Sequence, residues 1–196
     1  ASPHVSIPLS TGIFSSKNLK AMNTTHIHLL LNHFPIVGTV IGSIMLIGAI
    51  LRKSNPGRYT AAVILIVMAV IAIPVFLTGE PAEESVENLA GVSEQTIHLH
   101  EEAATIALWF MGITGLIALL ALWLAWKKHR MANAMFVALF VLSALCFAAM
   151  ARTGYYGGQI RHTEIRSAAD RGLPGKTDGV KPEKTTEAED DEKDKD

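Results

Sequence analysis

A single cysteine among 196 residues excludes an intramolecular disulfide, so only non-covalent forces fold this chain. Cys146 sits inside an apolar run and reads as a small space-filling side chain. Charge is scarce as well, at 18% of residues, and Ala61–Leu77 and Ala103–Ala125 contain none on any helical face. A soluble helix bundle needs polar outer stripes, which these stretches lack. The formal net charge of −1 excludes bulk attraction to nucleic acid or to anionic lipid. There is no His-Glu-x-x-His run, which removes the zinc-protease signature, and the glycines Gly38, Gly42 and Gly48 suit helix contacts better than a nucleotide loop. Residues 1–21 lack the basic opening, apolar run and small-residue cleavage site of a signal peptide. Met22 opens Met-Asn-Thr-Thr-His and reads as a native start, with the preceding residues an upstream or appended stretch; a mature amino terminus at residue 1 is the alternative.

What the chain has is hydrophobic length. Apolar residues make up 49% and concentrate in four spans at about 27–51, 59–77, 97–126 and 132–151. Roughly 20 residues at about 1.5 Å each cross a hydrocarbon core of about 30 Å. The expectation is therefore an all-α fold, an integral membrane up-down four-helix bundle. Residues 1–26 precede it, 152–166 form a Gly/Tyr/Arg/His segment, and 167–196 form a polar tail too poor in apolar surface to offset the entropy of ordering.

Arg52, Lys53 and Arg58 mark one connection and Lys127, Lys128 and Arg130 another, whereas Thr78–Gln95 carries five glutamates and no Lys or Arg. Basic short loops face the cytoplasm. Both termini then lie on the outer, periplasmic side of a bacterial inner membrane, although Arg152, Arg161 and Arg166 would lie there too. Trp109, Trp123 and Trp126 suit packing and interfacial anchoring.

Ligand-type side chains crowd that outer end. His28 and His33 open the first span, Glu80 and Glu84 follow the second, His98, His100 and Glu101 open the third, and Arg161, His162 and Glu164 follow the fourth. Residues three, four, seven and eleven apart share a helical face. His28 thus projects with Asn32, Pro35, Thr39, Gly42 and Leu46, and His100 with Ala103, Ala104, Ala107, Met111, Thr114 and Ala118. Such small and polar stripes face neighbouring helices. His33 projects with Ile36, Val37, Val40, Ile44 and Ile47, a stripe suited to lipid, unless Pro35 rotates the first turn. His98 projects with Glu101, Glu102, Thr105 and Trp109. The inward pair is His28 and His100, on spans diagonal in an up-down bundle. Gly154, Gly157 and Gly158 permit a tight turn or a close backbone approach that would fold His162 and Glu164 over the mouth, bringing Arg161 and Arg166 to carboxylates.

The segments His28-Leu-Leu-Leu-Asn-His33-Phe-Pro, Thr78-Gly-Glu, His98-x-His100-Glu and Gly157-Gly-Gln-Ile-Arg-His162-Thr-Glu164 resemble the small four-span bacterial membrane proteins grouped as a family of unknown function. The resemblance covers residues 22–166 and implies membership without an activity. A looser likeness in architecture links the chain to bis-histidine haem-b bundles, but its histidines crowd one end, so a two-haem wire across the membrane does not follow.

Three functions are expected in turn. The first is a redox-associated or electron-transfer subunit with one haem b held by two of His28, His33, His98 and His100. The second is a non-haem zinc, copper or iron site, possible in a hydrolase with Glu101 or Glu84 as base, drawn from His28, His33, Glu80, Glu84, His98, His100, Glu101, His162 and Glu164. The third is an accessory or assembly subunit of a larger membrane or respiratory complex, compatible with homo-oligomerisation. Against all three stands the bland reading that histidine and glutamate at a membrane surface are merely solvated.

Overall fold

The computed structural model describes residues 16–162, Ile165 and Arg166, with side chains from Thr24 onward. Every element among these is helical: α1 Ser16–Leu31, α2 His33–Leu51, α3 Asn55–Leu77, α4 Gly79–Glu84, α5 Glu94–Trp126 and α6 Ala132–Arg161. The stretches Thr24–Leu51, Asn55–Leu77, Glu94–Trp126 and Ala132–Arg161 are long and apolar enough to cross a membrane. The expected polar tail and residues 1–15 lie outside the described residues.

The four long elements form a ring in which α2 packs on α3, α3 on α5, α5 on α6 and α6 on α2. That order leaves α2 diagonal to α5, and α1 packs against the short α4. Inward faces are small. Pro35, Thr39, Gly42, Leu46 and Ala49 are buried on α2, and Ala103, Ala107, Met111, Thr114, Gly115, Ala118 and Ala121 on α5. The stripes containing His28 and His100 are therefore the ones the bundle buries. Outward faces carry Ile44, Val70, Leu116 and Val141, more than half exposed, as a lipid-facing surface requires. Gly38 shows why the contacts are close: a Cβ there would collide with the Met68 side chain of α3.

Besides the start of α3 at Asn55 rather than about 59, helix boundaries differ from the sequence expectation in three places. First, α1 begins at Ser16, and it breaks from α2 only at Asn32, where Pro35 has no N–H to offer the Leu31 carbonyl. Second, α5 starts at Glu94 and is 33 residues long, about 50 Å, so its first turns extend past a hydrocarbon core of about 30 Å. Third, α6 does not turn after Ala151 but runs to Arg161. Its glycines stay helical because the helix end packs laterally, which offsets their weak helix propensity.

The two basic connections are built alike. Lys53 N–H bonds Ile50 O at 3.1 Å while Ser54 N–H bonds Ala49 O at 2.9 Å. Lys128 N–H bonds Ala125 O at 3.0 Å while His129 N–H bonds Leu124 O at 2.9 Å. Each is a Schellman cap with a lysine in the left-handed region, φ 53° at Lys53 and 50° at Lys128. Between these caps Arg58 is buried, donating to Asn133 Oδ1 at 2.7 Å and to Asn55 Oδ1 at 3.4 Å, with its guanidinium 6.0 Å from the Phe136 ring centroid. Arg58 thus ties α3 to α6, beyond the topological signal that the sequence suggested for it.

Left-handed backbone costs a non-glycine residue about 1 kcal/mol or more. Lys53→Gly and Lys128→Gly should each raise stability by about 1 kcal/mol, read as a higher thermal midpoint in detergent; an unchanged or lower midpoint contradicts the cap assignment.

Candidate functional site

His28 lies on α1 where the first span meets α3 and α4. Its Nδ1 is 3.0 Å from the Val75 carbonyl oxygen and 3.3 Å from Thr78 Oγ1. A carbonyl oxygen only accepts, so the Val75 contact requires Nδ1 to carry the proton. His100 repeats the arrangement across the bundle, its Nδ1 lying 3.0 Å from the Thr153 carbonyl oxygen of α6. Both imidazoles therefore hold an Nδ1–H and keep a lone pair on Nε2. Each is half-buried, and the two are near enough to interact electrostatically.

Local sequence explains both placements. Pro74, lacking an N–H, and the following Thr78 loosen the end of α3; Thr78 Oγ1 donates to the Pro74 and Val75 carbonyls at 2.8 and 3.0 Å. Gly79 sits beside the ring, where an added Cβ would lie 3.7 Å from His28 Cε1. On the opposite side the His100 ring lies flat against α6 because position 157 is glycine: a Cβ there would come within 3.0 Å of His100 Cε1 and 3.1 Å of Nδ1. The glycines of this segment serve as a close approach, and the turn follows at His162. One turn beyond His28, Asn32 buries Oδ1 with no hydrogen-bond partner among the described residues.

The other expected ligands are not brought together. His33 and His98 are exposed, as are Glu80, Glu84, Glu101, Arg161 and His162, and Glu164 lies outside the described residues. His98 Nδ1 makes a long 3.6 Å contact with Glu102 Oε1, an exposed i,i+4 pair of little energetic weight. An open, shallow depression of about 560 Å³ lined by Glu94, Gln95, His98, Leu99 and Glu102 lies along that face of α5, not between the paired histidines. Among the described residues no three His, Cys, Asp or Glu side chains converge as a metal-ligand group. Arg166 meets carbonyls instead of the expected carboxylates: Nε donates to Gln159 O at 2.9 Å and a terminal nitrogen to Gly91 O at 3.0 Å. It thereby fastens the segment after α6 to the loop before α5.

Sequence reasoning left Glu83 out of the site. It is half-buried on α4, and that burial, followed by the charges of Glu101 and Glu80, pushes its carboxyl up from 4.5 to about 7. Thr25 Oγ1 lies 2.9 Å from Ser85 Oγ, tying the C-terminal cap of α4 to α1. The signal was available in the spacing Glu80-x-x-Glu83, but five acids in one connection gave no means of choosing the inward one.

No protein-family model matches the chain, and no curated protein or solved structure is significantly similar to it. The fold and site together define a class: a four-span helical protein of membrane build with a histidine pair held across one end of its bundle.

Two outcomes test this geometry. Gly157→Ala gains about 1 kcal/mol of helix propensity and loses a hydrogen bond of about 1 kcal/mol, so the thermal midpoint should barely move while the His100 Nδ1–H resonance leaves its hydrogen-bonded position. A large loss of stability with an unmoved resonance contradicts the contact. Glu83 has a folded-state pKa above its unfolded one, so the folded state binds the extra proton. Stability from this group is full below about 4.5 and is lost as pH rises through about 7. Glu83→Gln should flatten the thermal midpoint across that window; an unaltered slope contradicts the assignment.

Proposed function

We propose that this protein is an electron-transfer or redox-associated membrane subunit that holds one haem b through the Nε2 atoms of His28 and His100. The observation that carries the reading is the matched pair of Nδ1–H···O=C bonds, on α1 and α5 at the same end of the bundle. Histidines that ligate iron or zinc characteristically donate the other ring nitrogen to a carbonyl or carboxylate, which fixes the tautomer and raises ligand basicity. Ligand counting favours haem over a bare ion. Zinc and similar ions need three or four protein ligands, whereas porphyrin supplies four bonds to iron and leaves two for histidine. The two latched imidazoles are the ligand set this reading uses.

When bound, haem supplies a one-electron couple. The chain's residues do the rest: the Val75 and Thr153 carbonyls orient the two imidazoles, and their hydrogen bonds increase the electron density donated at Nε2, which favours the oxidised state. Arg161, exposed at the end of α6, offers positive charge for propionates. The basic connections lie on the cytoplasmic side under the positive-inside rule, so the histidine end faces outward from a bacterial inner membrane, toward a redox partner in a larger membrane complex.

Absorption spectra of detergent-purified protein made with ample haem test the proposal. The expected result is a Soret band and a sharpened α band on adding dithionite, lost in His28→Ala and in His100→Ala and retained in His33→Ala. No Soret band in haem-replete protein, or equal loss in His33→Ala, overturns it.

A further inference from the structure

The small net charge conceals a separation along the bundle. Between residues 16 and 79, and again between 103 and 163, the sequence has no acidic residue, while Arg52, Lys53, Lys127, Lys128 and Arg130 lie at the end opposite the histidines. Those five are exposed, as solvated markers of topology are. Arg58 is different. Only 8% of it is exposed, and it meets two amide oxygens, the Ile50 carbonyl at 3.5 Å and the Phe136 ring. Its Nε has no hydrogen-bond partner among the described residues. A charge buried to that degree calls for a counter-charge, and this half of the bundle has no carboxylate to give.

The guanidinium stands beside a second set of unmet donors. Its Nη1 donates to Asn133 Oδ1 at 2.7 Å, and Asn133 is the second residue of the 30-residue α6. The N-cap of that helix, Met131, supplies no side-chain acceptor, whereas at the start of α3 Ser54 Oγ accepts from the Gly57 N–H. The Ala132 N–H bonds His129 O and the Met135 N–H bonds Met131 O, but the N–H groups of Asn133 and Ala134 have no partner among the described residues. Both residues are exposed, so these donors open outward next to the buried cation. Free N–H groups at a helix N-terminus suit a phosphate group, and a guanidinium matches two of its oxygens at once.

We infer that the phosphate of an anionic phospholipid binds at the N-terminus of α6, received by the N–H groups of Asn133 and Ala134 and by the Arg58 guanidinium. Placement and charge select this occupant. Tyr59 and Trp126 are exposed at the same end, and such aromatic residues lie at headgroup depth in a bilayer. The surrounding basic residues favour a headgroup of net negative charge over a zwitterionic one. The attraction is local, arising from one end of the bundle and not from the net charge of −1. Phosphate oxygens give the free donors their acceptors and give Arg58 the counter-charge that the chain withholds. The site lies far from His28 and His100 and does not rest on the haem reading.

Native mass spectrometry of the full chain in detergent, titrated with phosphatidylglycerol or with phosphatidylcholine, tests the site. One phosphatidylglycerol per chain should be retained about tenfold more tightly than phosphatidylcholine, and millimolar inorganic phosphate should not displace it. Arg58→Lys keeps the charge but loses the planar fork, and Met131→Asp places a carboxylate where it caps the two free N–H groups; each should remove most of the preference. Because a new cap stabilises its helix, Met131→Asp should also raise the thermal midpoint, which separates its loss of lipid from unfolding. Arg52→Gln/Lys127→Gln removes exposed charge alone and should weaken retention by about twofold or less. Equal retention of the two lipids, displacement by millimolar phosphate, an unchanged preference in Met131→Asp, or an equal loss in Arg52→Gln/Lys127→Gln overturns the inference.

Discussion

A polar group buried inside this bundle is cut off from solvent hydrogen bonds, so it has to find its partner within the protein. That constraint explains the hydroxyls that turn back on their own helices, Thr39 to Pro35 O at 2.6 Å, Ser43 to Thr39 O at 2.7 Å and Thr114 to Phe110 O at 2.7 Å. It explains Ser43 meeting Ser143 at 2.8 Å across α2 and α6. It also explains Arg58, whose buried charge is met by amide oxygens and an aromatic face, with no carboxylate in ion-pair range among the described residues. The histidine latches are the same rule applied at the other end. What the rule leaves over among the described residues is the Asn32 amide oxygen, Arg58 Nε and Gln159 Nε2, besides the Nε2 atoms of the two latched histidines.

The two ends of the bundle therefore differ in kind. At the basic end, paired Schellman caps and the Arg58 clamp join four helices around leucine, alanine and phenylalanine. At the histidine end, Pro35 sits in the first turn of α2 just after the break at Asn32, Pro74 lies inside the last turn of α3, and glycine at 79 and 157 brings backbone against imidazole. The 33-residue length of α5 belongs to the histidine end, since its first turns carry His98 and His100.

Much of this was legible in the residues. Uncharged runs declared the four spans, and the 3.6-residue period separated His28 from His33 and His100 from His98, because the small-residue stripes are the ones the helices bury. Other features were not. The acceptors of both histidines are backbone carbonyls, of Val75 and Thr153, and any residue type supplies one. Gly157 was visible as a glycine, but a tight turn and a close helix contact demand the same residue. Glu83 was hidden among identical neighbours, since its burial depends on how α4 docks on α1. Periodicity reads faces within a helix, whereas partner choice between helices is a tertiary fact.

The central claim is that His28 and His100 each carry the proton on Nδ1 and present Nε2 to a shared site. Nitrogen-15 NMR of histidine-labelled protein in lipid bilayers measures this directly, with His28→Ala and His100→Ala assigning the signals. The account predicts a protonated, hydrogen-bonded Nδ1 and an unprotonated or metal-bound Nε2 for both residues at neutral pH. A proton on Nε2 of either ring would contradict it.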